Sequence, residues 1–204
     1  MKVVTNGVFA IPLIPECRMS GLRSWANTNK FAIVETFQTP KLDFIIPYRN
    51  SYDRIIRAIG ADLHEVMLDA GVVNLNKQTW TNVKDIALPY IINWFDTTGH
   101  LPIKKNFSHT GYLTTYLITD TDLPNTAVLI DISTATNLTN YIKTRYNLSI
   151  TNIPENSPNY YDYTVPYWEI DRLYKTNENT KRLIDIWCAE DDRLLSARNF
   201  LISS

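Results

Sequence analysis

The sequence predicts an α+β fold: a single domain built on an antiparallel or mixed β-sheet with about three to four helices packed on it. Three observations predict it. Runs of β-branched and aromatic residues separated by turn formers open the chain and return beyond residue 110. Two long stretches between them repeat apolar residues at steps of three and four. No linker or internal repeat divides the 204 residues, so residues 1–204 are expected to form one domain, and 45% apolar residues supply a sizeable core.

Val8 to Ile14, Phe31 to Phe37 and Leu42 to Pro47 read as strands that pair with one another. Ser51 then caps a helix whose stripe is Tyr52, Ile55, Ile56, Ile59, Leu63, Val66 and Met67, with Gly71 placed to close it. A second helix carries Val83, Ile86, Ala87, Tyr90, Ile91, Trp94 and Phe95 between a cap at Thr81 or Asn82 and a stop at Gly99. Pro89 removes the bond to the Asp85 carbonyl and is expected to kink or split that helix. Tyr112 to Thr119 and Thr126 to Ser133 read as an antiparallel hairpin, because the link Asp120-Thr121-Asp122-Leu123-Pro124-Asn125 is rich in turn formers. A short helix through Leu138, Tyr141 and Ile142 follows, and a last one is expected from about Thr180 to Ile202.

The segment 153–168, IPENSPNYYDYTVPYW, has neither helix nor strand period yet holds five aromatic rings and three prolines. It reads as an irregular arm lying on a surface, whether the protein's own core, another chain or a small ligand. Tyr160, Tyr161, Tyr163, Tyr167 and Trp168 are side chains of the type that protein interfaces favour, so they are the candidate interface residues. The arm carries Glu155, Asp162 and Glu169 and no basic residue before Arg172, which argues against a platform for nucleic acid bases.

A formal net charge of −1 lacks the basic excess of a general nucleic-acid or anionic-membrane binder. Up to Gly60 basic residues outnumber acidic ones, and beyond it the balance turns acidic. The chain's two cysteines, Cys17 and Cys188, are too few for a disulfide framework and are expected to be thiols in a reducing compartment. Pro12 and Pro15 interrupt the apolar start, and no small-residue cleavage site follows, so secretion by a signal peptide is not expected. No apolar run approaches the roughly 18 residues of a membrane helix.

The motifs of known chemistry are incomplete. The six glycines stand too far apart for a phosphate-cradling loop. Without such a loop, Asp131 at the end of Ala127-Val128-Leu129-Ile130 is read as a strand ending in a turn rather than a magnesium ligand. Asp120 and Asp122 form an Asp-x-Asp that two carboxylates could make a weak metal site, but aspartates bond their own backbone in turns, and the turn reading is preferred. His64-Glu65 lacks the second histidine of a zinc helix, since Leu68 stands there. His100 and His109 bracket a polar loop with Lys104 and Lys105 and no recognisable nucleophile. Asp191 falls on the apolar stripe of the last helix with Ile184, Trp187, Leu194 and Leu195, making it a candidate buried carboxylate that must be paired, or meet a partner or solvent there, unless the helix breaks near Glu190-Asp191-Asp192.

The expectation from sequence is a non-enzymatic structural or assembly protein, a phage or viral virion component of the head-to-tail connector, ring or tail-completion kind. It would act through interfaces with other protein subunits in a homo- or hetero-oligomer, without cofactor, membrane or sequence-specific nucleic acid. Abundant Asn, Thr, Ile and Tyr with few Gly and Ala is a bias typical of AT-rich genomes, common among phages and viruses. Such a subunit is expected in the host-cell cytoplasm during assembly and then in the virion. Two alternatives belong to other classes: a small metal-dependent enzyme using Asp120, Asp122 and Asp131 with His109 nearby, and a phage-encoded inhibitor docking on a host protein through the same arm.

Overall fold

Val3–Thr5 (β1) and Phe9–Pro12 (β2) pair antiparallel around a tight turn. Gly7 supplies the turn's positive φ of 88°, and the Asn6 side chain accepts the Val8 and Phe9 amides. The computed structural model describes residues 2–14, 17, 19–34, 42–74, 79–102, 127–154, 165–197 and 201–203. Ala32–Val34 (β3) pairs antiparallel on the outer side of β1, and Asp43–Tyr48 (β4) pairs parallel with β2. Val128–Asp131 (β5) and Leu201–Ser203 (β6) continue in parallel, giving a six-stranded mixed sheet of order β3-β1-β2-β4-β5-β6. The chain is thus an α+β fold with a mixed sheet, as the sequence predicts.

Among the described residues two helices serve this sheet. Met19–Thr28 (α1) buries Leu22, Trp25 and Ala26, and Ala135–Tyr146 (α4) buries Leu138 and Ile142, all in the core that also holds Ile11, Ile45 and Leu129. The others share a second core: Ser51–Asp69 (α2), Trp80–Thr98 (α3), Tyr167–Thr176 (α5) and Glu178–Ala197 (α6), with Ile55, Ile59, Leu63, Ala87, Ile91, Phe95, Ile170 and Ile184 inside. The cores correspond to two compact units: Met1–Asn50 with Leu113–Ser157 and Arg193–Ser204, and Ser51–Tyr112 with Pro158–Asp192. Each fully buried Ile or Leu in such a core stabilises it by about 1.5–3 kcal/mol relative to exposure.

Some expectations change in detail. The expected antiparallel hairpin does not form on β5, because β4 and β6 occupy both its sides and run parallel to it; the expected strand at Tyr112 to Thr119 lies outside the described residues. A short Val-Leu-Ile run buried within a sheet fits a parallel strand as well as a hairpin arm. Pro89 interrupts no element, since α3 runs on past it with the proline on its exposed side. The expected last helix ends at Ala197, so Ile202 is in β6. Helix α1 has no clear signal, being short and carrying Ser, Gly, Asn and Thr of modest helix propensity. Among the described residues no helix is long and apolar enough to cross a membrane.

Candidate interaction surface

The Tyr/Pro run ends in a helix. Val165 is buried, Pro166 is the N-cap of α5 with extended backbone, and the Glu169 amide donates to the Pro166 carbonyl at 2.9 Å. A proline fits there because the first turn of a helix needs no amide donor from it. Tyr167 and Trp168 therefore occupy the first two helical positions rather than an irregular arm, and they are 45% and 49% exposed. The Arg57 guanidinium of α2 lies 4.3 Å from the Tyr167 ring centre, a cation–π contact that holds one face of that ring. Tyr160, Tyr161 and Tyr163 lie outside the described residues.

Below the aromatic pair, Glu169 is fully buried and accepts from Arg172 Nε at 2.6 Å. Its other oxygen, Oε2, has no hydrogen-bond partner among the described residues. A carboxylate in the first turn also meets the positive end of the helix dipole, which partly offsets its burial. Two residues further, Asp171 accepts from the Tyr52 hydroxyl and from Lys175 Nζ, both at 2.7 Å. Lys175 first, then Tyr52, hold the Asp171 carboxyl below the usual range. Close packing fixes α5 against α2: a Cβ on Gly60 would stand 2.3 Å from the Val165 carbonyl oxygen. The exposed aromatics are therefore carried on a helix clamped by packing and charge.

Asp191 is 1% exposed, and Arg54 of α2, itself fully buried, meets its carboxylate through Nε at 2.8 Å and through Nη2. The neighbouring Asp192 accepts from the Ser51 hydroxyl. These contacts tie the start of α2 to α6. Cys188, one turn before, has its thiol pushed up to about 12 by burial and then by Asp191, Asp192 and Asp185, with Arg54 opposing them. At neutral pH that sulfur is a protonated thiol and a poor nucleophile. Cys17 is buried, and both cysteines are thiols.

Among the described residues the remaining candidates do not assemble into chemistry. The Asp131 carboxylate accepts from the amide and hydroxyl of Ser133, and its carbonyl accepts from Asn137, a turn that leads into α4. Asp120, Asp122, Lys104, Lys105 and His109 lie outside the described residues. His100 packs edge-on to Trp94, its Nδ1 2.8 Å from the Leu101 carbonyl. His64 is half-buried, and desolvation lowers its pKa. Among the described residues no group of three or more His, Cys, Asp or Glu could hold a metal ion.

The residues that sequence reasoning passed over are partners. Arg54 and Arg57 stand three apart on α2, on the side of the helix away from the apolar stripe, so helical period did not mark Arg54 as a buried cation. Nothing in the sequence couples either to residues more than one hundred positions away. No known protein family, curated protein or solved structure matches this chain.

Proposed function

We propose that this chain is a non-enzymatic assembly subunit, of the kind that builds a phage or viral particle as a head-to-tail connector, ring or tail-completion component. It works through protein–protein interfaces, in the host-cell cytoplasm during assembly and afterwards in the particle. One observation carries the reading: Tyr167 and Trp168, nearly half exposed, stand side by side on a helix held to α2 by the Tyr52–Asp171 bond and the Arg57 contact. Large aromatics held in place lose little entropy when a partner covers them, which is why they recur as interface anchors. The compositional bias and the basic opening of an otherwise acidic chain support the same reading, since complementary charge steers subunits together.

Size-exclusion chromatography with light scattering, at low and high salt and with candidate particle components added, tests it. The expected result is assembly, or capture by a component, that weakens in Tyr167→Ser/Trp168→Ser while the fold is retained. A chain that stays monomeric and ignores every component would remove the assembly reading. Capture by a host protein alone would replace it with the inhibitor reading.

A further inference from the structure

The solvent face of α5 carries four residues at steps of three, one and three: Trp168, Asp171, Arg172 and Lys175. With about 3.6 residues per turn they form one stripe two turns long. Glu169, Ile170 and Leu173 are buried on the other side. Trp168 is 49% exposed, and the Arg172, Lys175 and Asp171 side chains are 46%, 66% and 29% exposed.

The spacing is its own mirror image, and the chemistry is its own complement. Read backwards, the stripe is cation, cation, anion, aromatic at the same steps. The geometry points to a second copy of this chain as the occupant: α5 pairs antiparallel with α5 of that copy about a two-fold axis between Asp171 and Arg172. Trp168 then meets Lys175 of the second copy as a cation–π pair, and Asp171 meets Arg172 of the second copy, each contact made twice. A parallel pairing sets Asp on Asp, Arg on Arg and Lys on Lys, which like-charge repulsion disfavours. The antiparallel arrangement also opposes the two helix dipoles.

The side chains are already posed. Arg172 is held by the buried Glu169, and Lys175 by Asp171, so little freedom remains to be lost on contact. Asp171 accepts one bond on each oxygen from Tyr52 and Lys175, and a carboxylate offers about four acceptor sites, which leaves room for a further donor. The inference rests on the reading of this surface as an interface, and names its partner.

The test is sedimentation equilibrium of the full chain from about 10 μM to 1 mM, the range suited to a small contact. A reversible dimer is expected. Because each substitution counts twice, Trp168→Ala should weaken it roughly tenfold or more, and Lys175→Glu should do likewise, both with an unchanged circular dichroism spectrum. In a Cys188→Ala background, mixing Trp168→Cys chains with Lys175→Cys chains should give disulfide-linked heterodimers in preference to either homodimer. Equal yields of all three overturn the register. Larger assemblies that persist in both Trp168→Ala and Lys175→Glu overturn the two-fold contact and leave the assembly reading standing. A monomer at every concentration overturns the pairing, and only its failure to bind any particle component removes the assembly reading as well.

Discussion

The Arg54–Asp191 pair shows how one charge inside an apolar stripe directs a structure. An isolated carboxylate transferred out of water costs several kcal/mol, so Asp191 is tolerable only with a cation and hydrogen bonds around it. Arg54 supplies a two-nitrogen grip that a lysine would not reproduce. Replacing Asp191 by Ala removes the carboxylate from a buried guanidinium and should cost about 3–5 kcal/mol in urea unfolding. The double replacement Arg54→Met/Asp191→Leu should recover most or all of that loss. A small effect of Asp191→Ala would mean that water or other groups already neutralise the site. From sequence the carboxylate's position on the stripe was readable, because it follows from helical period alone. Its partner was not, since Arg54 stands 137 positions away.

Helices α2 and α5 meet where neither has a side chain to spare. Gly60 lies inside α2, where glycine ordinarily costs about 1 kcal/mol relative to alanine. Here alanine is excluded, because its Cβ would stand 2.3 Å from a backbone oxygen that cannot rotate away. Gly60→Ala should therefore destabilise by about 1–3 kcal/mol in a thermal or urea melt, against the propensity scale. A stabilised variant would show that α5 can shift without loss. The stripe and Gly99 announced α3, and Gly99 does take the left-handed conformation, with φ of 68°. Pro89 does not split α3, because the one hydrogen bond lost to a proline on an exposed helix face is outweighed by the buried row of Val83, Ala87, Ile91 and Phe95. The strand character of Val128 to Asp131 was legible, whereas its direction relative to its neighbours was not.

Across the whole molecule, burial of weakly acidic groups gives a defined response to alkali. Burial first, and then carboxylates nearby, raise the Tyr52 and Tyr146 hydroxyls and push the Cys188 thiol from 9.0 to about 12. The folded chain keeps these protons at a pH where the unfolded chain has lost them, so unfolding releases protons and stability falls as pH rises. The loss should begin above about pH 9 with Cys188 and steepen above about pH 10 with the tyrosines. Urea midpoints measured across that range should decline, and Cys188→Ala should flatten the first part of the decline. A midpoint rising with pH would contradict it. The aromatic run was legible as a candidate interface from composition, and the structure places its last two rings on a helix with a solvent stripe. The sequence by itself determined the α+β class, helices α2 and α3, the strand character of β2, β3, β4 and β5 and the stripe that holds Asp191, because period, capping and burial preference act over a few residues. Tertiary structure decided the parallel order of β4, β5 and β6, the division of the helices between two cores and the pairing of Arg54 with Asp191. Those depend on which distant segments share a space, and no local pattern encodes that choice.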